Sequence, residues 1–203
     1  MHEPLEGIAE ADAVLGRPFP LPSAALPLAR FQAAGGELEV RALRALGDVA
    51  GAAPVVVNCS GVGARALVPD PAVRSVRGEH VIVENPGLDE FFMEEPAPRW
   101  AAWFPHGDHV VLGGSADEDD WSLEPDLALA EEIVRRCAAI EPRLADARVL
   151  EHRVGLRPAR PDVRVEEVAL GASRCVHNYG HGGTGVALAW GCARDVCSIV
   201  ARA

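Results

Sequence analysis

Lysine is absent from this sequence, and all 19 basic side chains are arginines. The absence excludes Schiff-base catalysis and a phosphate-binding P-loop, because both depend on a lysine amine. Every cation is instead a planar guanidinium, which is suited to two-point binding of carboxylates. The formal net charge of −11 also makes nucleic acids and anionic membranes unfavourable partners.

Long apolar runs and paired cysteines are missing as well. No stretch approaches the roughly 18 apolar residues that span a membrane, and no signal peptide is recognisable at the start, so we expect a cytoplasmic protein. The five cysteines form no C-x-x-C pair and are expected to be small core residues in a reducing compartment. A hydrophobic content of 49% in 203 residues is enough for one domain or two small ones.

The hydrophobic pattern predicts an α/β protein with a meander of antiparallel strands in its middle. Residues 1–22 are predicted to be an irregular lead-in, and residues 157–161 a turn stiffened by two prolines. Helices are predicted at residues 28–34, up to residue 67, at 125–140 and from residue 185 onwards. Strands are predicted at residues 37–43, 54–58, 77–84, 100–104, 109–112, 148–155, 163–168 and 174–177.

Most tryptophans are expected in the core, and Trp103 is a candidate for the wall of a pocket. Val186, Trp190, Ala193, Cys197 and Val200 share one face of the last predicted helix. His177 and His181 are four residues apart, but across a strand and a loop rather than on a helix, so no zinc site is expected.

A glycine-rich segment at residues 180–185 is the strongest local signal. It holds four glycines in six residues, after a predicted strand and before a predicted helix. Glycines let a backbone approach a ligand closely, and a helix start presents free N–H groups to negative charge. The segment is either a site for a flavin or phosphate, or a turn packed against another strand.

Arg157 and Arg160 lie in a segment that also contains Pro158 and Pro161. An arginine held by prolines at the end of a strand can serve as a clamp for a carboxylate. The alternative is an ion pair with one of the 30 acidic side chains. Composition alone favours the ion pair.

Several segments together resemble the D-amino-acid oxidase and D-aspartate oxidase family from about Gly35 to the end of the chain. The two longest are residues 155–161 and residues 177–185, and the shorter ones follow in the family's order. The segments are residues 55–61, 69–71, 77–78, 112–114, 121–122, 141–142, 155–161, 177–185 and 190–193.

The resemblance implies FAD as the cofactor and a D-amino acid as the substrate. In this family FAD takes a hydride from the α-carbon, the imino acid hydrolyses to a 2-oxo acid and ammonia, and dioxygen regenerates the flavin with release of hydrogen peroxide. No side chain serves as a general base, so positioning carries the catalysis. The expected partners are therefore a small D-amino acid and dioxygen, and the resemblance is compatible with a homodimer.

The resemblance also assigns roles to particular residues. Arg157 matches the arginine that binds the substrate carboxylate, and Gly183 matches a glycine whose carbonyl meets the substrate amine. Residues matching positions that contact FAD are Ala42, on a strand near the adenine, then Cys59, Ser60, Gly61, Gly182, Gly183, Gly185, Val186 and Ala187.

Three departures from the family stand out. Ala102 replaces a tyrosine whose hydroxyl lies over the substrate carboxylate, and Ala187 replaces a threonine near the flavin. The first 34 residues contain no G-x-G-x-x-G turn, the usual seat of the FAD pyrophosphate. We therefore expect a truncated chain that holds FAD weakly, and the alternative to an oxidase is a non-catalytic remnant that binds a small carboxylate.

The expected architecture follows from the same comparison. The fold class is α/β, with an incomplete FAD-binding parallel-sheet domain and a mixed, largely antiparallel substrate-domain sheet. Residues 1–67 and 141–203 are expected to form the remainder of the FAD-binding domain. Residues 68–140 are expected to form the substrate-binding domain.

Overall fold

The computed structural model describes residues 13–16, 25–94 and 98–202 of the chain. Four helices occur in these ranges: α1 (Ala25–Ala33), α2 (Ala64–Leu67), α3 (Leu127–Ile140) and α4 (Gly185–Val200). The strands are β1 (Ala13–Gly16), β2 (Val55–Asn58), β3 (Arg74–Glu84), β4 (Phe91–Glu94), β5 (Arg99–His106), β6 (His109–Ser115), β7 (Asp117–Glu118), β8 (Val149–Leu170) and β9 (Ser173–His181). Short 3-10 turns lie at Leu46–Val49, Gly61–Gly63, Pro142–Leu144 and Gly182–Thr184.

All nine described strands join one mixed sheet in the order β1-β4-β5-β6-β3-β8-β9-β2, with β7 paired to β3. Strands β2 and β9 run parallel, whereas the other pairs are antiparallel. The predicted α/β class is confirmed. The parallel pair consists of the two strands that lead directly into helical turns, the Gly61–Gly63 turn after β2 and the Gly182–Thr184 turn after β9.

Strand β8 corrects the prediction of two strands joined by a turn. It runs unbroken for 22 residues, pairing with β3 through Ala159 and with β9 from Ala159 onwards. The register with β9 shifts between Ala159 and Arg164, where Pro161 lies. Pro161 is tolerated there because the strand exchanges one partner for the other and its hydrogen-bond ladder is already interrupted.

The main hydrophobic core lies between α3 and one face of the antiparallel strands. Ile133 and Cys137 of α3 are fully buried against residues that include Val81 and Leu112. The helix forms as its apolar spacing predicts, and Asp126 caps its start by accepting hydrogen bonds from the N–H groups of Ala128 and Leu129.

A buried ion pair attaches the start of α3 to the sheet. Glu79 is fully buried on β3, and its carboxylate lies 2.7 Å from the Arg77 guanidinium. The same carboxylate accepts the backbone N–H of Asp126, at 3.1 Å from either oxygen. Arg77 also donates to the carbonyls of Ser122 and Glu124. Both charges therefore have hydrogen-bonded partners, which buried charges require.

A second polar cluster joins β8 and β9 to the segment that follows α2. The buried carboxylate of Asp70 accepts hydrogen bonds from the Tyr179 hydroxyl at 2.8 Å and the Arg160 guanidinium at 3.2 Å. Arg164 donates to the Tyr179 hydroxyl at 2.5 Å. Burial raises the pKa of Asp70, but hydrogen bonds from Tyr179, Ala72 and Arg160 outweigh it, and the pKa is lowered overall.

Three predictions about the first part of the chain need comment. The helix predicted from residue 28 begins earlier, at Ala25. The strand predicted at residues 37–43 is wrong, because no described strand pairs with it and its apolar residues Leu38 and Val40 are 61% and 94% exposed. The irregular lead-in at residues 1–22 lies outside the described residues, except for residues 13–16, which form β1.

The face of α4 on which apolar residues were noted is largely uncovered. Val186 and Trp190 are each 75% exposed, and Val196 is the buried residue of this helix. The expectation that tryptophans lie in the core is therefore wrong for Trp190, and also for Trp121, which is 41% exposed. Of the five free cysteines, Cys137 and Cys175 are buried as expected, whereas Cys59 and Cys197 are exposed. Within the described residues, no helix is long and apolar enough to span a membrane.

We predict that Glu79→Leu destabilises the protein by about 3–5 kcal/mol, because it removes the buried counter-charge of the Arg77 guanidinium and leaves only the partly exposed carboxylate of Asp120, at 3.8 Å. The double variant Arg77→Leu/Glu79→Leu should recover part of this loss, since neither charge then remains. Urea denaturation of both variants measures the difference. Glu151→Leu, which breaks an exposed pair with Arg153, is the control and should cost less than about 1 kcal/mol. Equal losses in the single and double variants would contradict the prediction.

We predict that Asp70→Asn lowers the free energy of unfolding at neutral pH by about 1–3 kcal/mol, because Tyr179 and Arg160 lose an ionised acceptor. Because the pKa of Asp70 is lower in the folded protein, its ionised carboxylate stabilises the fold at pH values above the ordinary pKa of 3.8. This stabilisation is lost as the pH falls through the pKa of the folded protein. The gap between wild type and variant should therefore shrink as the pH is lowered below about 4. Thermal melts across this range measure it, and a gap independent of pH would exclude the carboxylate as its source.

Candidate functional site

The candidate site lies at the edge of the sheet where β2 and β9 both end. Because these strands are parallel, their carboxyl ends meet at one edge, and the turns that follow them are neighbours. The Asn58 side chain links the strands by contacting the His177 ring at 3.1 Å. It also accepts the backbone N–H of Ser60 at 3.1 Å, which fixes the first turn. Residues 59–61 are therefore held beside the turn after β9.

The glycine-rich segment forms a turn leading into a helix, as predicted. Gly180 and Gly182 have φ values of 91° and 56°, a conformation that favours glycine. Gly182–Thr184 is a 3-10 turn, and α4 follows from Gly185. Among the described residues no side chain caps α4, so no side chain competes with a ligand for its first backbone N–H groups.

The side chain of Arg157 extends across β3 and against this turn. A Cβ atom added to Gly78 would lie 2.4 Å from Arg157 Nη1, so the guanidinium rests directly on the glycine. A Cβ atom on Gly183 would lie 3.4 Å from Arg157 Cδ. The guanidinium donates one hydrogen bond, at 3.0 Å, to the carbonyl of Ser115. Arg157 and the glycine-rich turn therefore belong to one site.

Arg157 and Arg160 have different electrostatic surroundings. Arg160 is paired with Asp70 at 3.2 Å, so the ion-pair interpretation is correct for that residue. Arg157 forms no ion pair with any described residue, and burial lowers its pKa while the more distant Asp117 raises it. Its guanidinium keeps donors free for an anionic ligand.

The remaining predicted cofactor residues are distributed unevenly. Gly61 lies near Pro158, since a Cβ atom on this glycine would be 3.8 Å from the proline ring. Cys59 is exposed in the turn after β2, and Val186 and Ala187 are exposed at the start of α4. Ser60 Oγ and, on β9, Asn178 Oδ1 are buried without a hydrogen-bond partner. Ala42 is exposed and lies on no described strand, so its predicted strand placement is wrong.

The face of the antiparallel strands on which Arg157 lies continues from β3 across β6 to β5. Ala102 of β5 is buried there and pairs with Gly113 of β6. Trp103 points to the opposite face, where it stacks on Phe92 at 4.4 Å within the α3 core. Trp103 therefore borders a small cavity of about 170 Å³ next to Leu88 and Ile140, and does not form a wall of the site around Arg157.

The sequence interpretation missed Gly78 and Ser115 as parts of the site. Gly78 had a usable signal, because a glycine inside a strand often marks a close approach of another group. Ser115 contributes only a backbone carbonyl, which no side-chain pattern can reveal. Among the described residues, no group of three or more His, Cys, Asp or Glu is arranged to hold a metal ion.

Comparison with known proteins agrees with this geometry. A family model described as FAD dependent oxidoreductase matches residues 27–199. The chain is 50% identical over 196 residues to a D-amino-acid oxidase of Rubrobacter xylanophilus, covering 93% of this chain and 60% of the relative. It is 53% identical over 173 residues to a D-amino-acid oxidase of Streptomyces coelicolor, covering 84% of this chain and 53% of that relative. The chain thus spans little more than half the length of these relatives.

A more distant relative and a solved structure point the same way. Human D-aspartate oxidase is 35% identical over 177 residues, covering 85% of this chain and 51% of the relative. The fold is similar to that of glycine oxidase from Geobacillus kaustophilus, with a TM-score of 0.62 and 21% identity over 73% of this chain and 41% of that one. The chain belongs to the family of FAD-dependent oxidoreductases that includes the D-amino-acid and D-aspartate oxidases.

Proposed function

We propose that this chain provides the substrate-binding side and the flavin-facing side of an oxidase that converts D-amino acids to imino acids, which hydrolyse to 2-oxo acids and ammonia. The observation that carries the proposal is the Arg157 guanidinium, which has no ion pair among the described residues and rests between Gly78 and Gly183. A guanidinium with free donors in a partly buried site is suited to bind the α-carboxylate of an amino acid in two places.

The groups around Arg157 suggest how a substrate is oriented. Gly183 lies in contact with the Arg157 side chain, so its carbonyl is our candidate acceptor for the substrate amine. A carboxylate fixed on Arg157 and an amine fixed on Gly183 would leave the α-carbon facing the start of α4. Catalysis then depends on orientation, with no side chain taking the proton as a base.

The same edge of the sheet fits a flavin. Ser60 Oγ and Asn178 Oδ1 are buried polar atoms without partners, and the start of α4 has uncapped N–H groups that favour negative charge. We infer that Cys59, Ser60, Gly61, Gly182, Gly183, Gly185, Val186 and Ala187 hold FAD. Bound FAD would accept the hydride from the substrate α-carbon and deliver the two electrons to dioxygen, which gives hydrogen peroxide.

We also infer which parts of the chain form the substrate-binding domain and which contribute to the FAD-binding domain. The α3 core is built mainly from residues 81–144, whereas Ala64, Val73 and Tyr179 form a separate small cluster beside β9. Residues 68–140 would accordingly form the substrate-binding domain. Residues 1–67 and 141–203 would contribute to the FAD-binding domain, and the exposed apolar face of α4 would be covered within that domain.

A carboxylate-binding protein without turnover is the second candidate. It is favoured by a contrast between two parts of the site. The Arg157 side chain lies against Gly78 and Gly183, whereas the apolar side chains of Val186 and Trp190 on α4 are exposed. Flavin absorbance of the purified protein and peroxide release from D-alanine and D-aspartate, measured with FAD in excess, separate the two. Retained flavin with peroxide release supports the oxidase, whereas carboxylate binding without either supports the second candidate.

We predict that Arg157→Gln raises the KM for D-alanine by a factor on the order of 10² or more, because a two-point charged contact is lost. Peroxide release at varied substrate concentration measures the effect. Arg148→Gln is the matched control, since Arg148 is exposed and pairs with Glu84 away from the site. An unchanged KM in Arg157→Gln would remove Arg157 from the substrate site.

We predict that Gly78→Ala weakens substrate binding while leaving the charge of Arg157 in place. The new methyl group would occupy the position that the guanidinium now covers, at 2.4 Å from Nη1, and would displace it. The KM for D-alanine should rise by about tenfold, and the melting temperature should change little because a flexible side-chain end can move aside. Gly155→Ala, where an added Cβ meets nothing within 4 Å, is the control on the neighbouring strand. Equal effects of the two substitutions would contradict a specific role for Gly78.

A further inference from the structure

His80 is the side chain beyond Arg157 on the same face of the sheet. It lies on β3 two residues after Gly78, which carries the Arg157 guanidinium. A Cβ atom added to Gly113 on β6 would be 3.2 Å from His80 Cδ2, so the imidazole lies over this glycine. Gly113 in turn pairs with Ala102 on β5. Small residues on two strands therefore leave space next to the ring.

The imidazole of His80 has no hydrogen-bond partner among the described residues. Burial and the positive charges of Arg157 and Arg153 lower its pKa, and no acidic group contributes to the shift. Glu79 points to the other face of β3, where its carboxylate pairs with Arg77 and accepts the backbone N–H of Asp126. On the β6 and β5 side the nearest residues are Gly113 and Ala102, which carry no charge. The ring therefore tends to be neutral and keeps an N–H donor without a partner in the described part of the chain, beside the positive charge of Arg157.

The guanidinium of Arg157 and the ring of His80 lie over the same face of β3, so one small molecule with two anionic ends could contact both. Gly78 and His80 are two residues apart on one strand, so their backbone positions are separated by about 7 Å. Gly183 lies against the Cδ end of Arg157, whereas His80 lies on the other side of Gly78. A substrate with its α-carboxylate on Arg157 and its amine towards Gly183 would extend its side chain to His80.

We propose that His80 determines substrate specificity by donating a hydrogen bond to the side-chain carboxylate of an acidic D-amino acid. The inference rests on the proposed function, since it requires Arg157 to hold the α-carboxylate. A ring N–H donates to the carboxylate, and the bound anion in turn favours the protonated imidazole. Substrates with apolar side chains would gain nothing from His80.

The first test uses binding and needs no turnover. Succinate and propionate serve as dicarboxylate and monocarboxylate probes of the whole chain, with dissociation constants obtained by NMR titration. His80→Leu should raise the dissociation constant of succinate by about tenfold and that of propionate by less than about twofold. In the wild type, the His80 Cε1–H resonance should move towards the protonated position with succinate only.

Variants at other positions separate the possible failures. His80→Asn keeps an N–H donor and should recover part of the succinate affinity, whereas His106→Asn on the exposed β5–β6 hairpin should change nothing. Arg157→Gln should weaken both probes. If Arg157→Gln affects neither, the carboxylate site and the proposed function fail together. If Arg157→Gln weakens both probes but His80→Leu affects them equally or not at all, the role of His80 alone is overturned.

The second test uses the substrate preference of the oxidase. The ratio of kcat/KM for D-aspartate to that for D-alanine should fall by about tenfold in His80→Leu, mainly through the KM for D-aspartate. His80→Asn should restore part of the ratio. A ratio that is unchanged in a folded His80→Leu protein would overturn the proposal.

Discussion

Strand β8 hydrogen-bonds to β3 over its first half and to β9 over its second half, and the placement of the site depends on this exchange. Arg157 stands just before the exchange, where β8 still pairs with β3, opposite Val76. Its side chain can therefore rest on Gly78 of β3 and contact Gly183, which follows β9. The guanidinium of Arg157 is thereby brought to the edge of the sheet where the parallel strands β2 and β9 end.

The surroundings of Arg157 keep its charge available in a protein with an excess of acids. Other arginines along the same strands are neutralised by neighbours, such as Arg153 by Glu151 and Arg174 by Glu167. The strands next to Arg157 instead present glycines and a backbone carbonyl. Local composition, rather than the net charge of −11, therefore decides where an anion can bind.

The sequence predicts elements best where local pattern and packing agree. Helix α3 has both an apolar stripe and a capping aspartate, and β2 and β9 run into small-residue turns, so these elements were predictable. The unbroken path of β8 was not, because prolines usually indicate a turn and the change of strand partner is a tertiary effect. The alternating pattern at residues 37–43 predicted a strand that does not form. Local pattern alone is not enough there, because an alternating segment without a pairing strand does not join a sheet. At the site, the resemblance supplied Arg157 and Gly183, whereas the contact with Gly78 follows only from the pairing of β3 and β8.

The partial burial of Arg157 also has a consequence for its chemical reactivity. Dicarbonyl reagents attack the neutral form of a guanidine, and burial makes that form more accessible by lowering the pKa of this residue. Ion pairing has the reverse effect on Arg174 and Arg153, whose pKa values are raised by Glu167 and Glu151. With no lysine side chain to compete for the reagent, the fold makes loss of a proton easier at Arg157 than at Arg174 or Arg153.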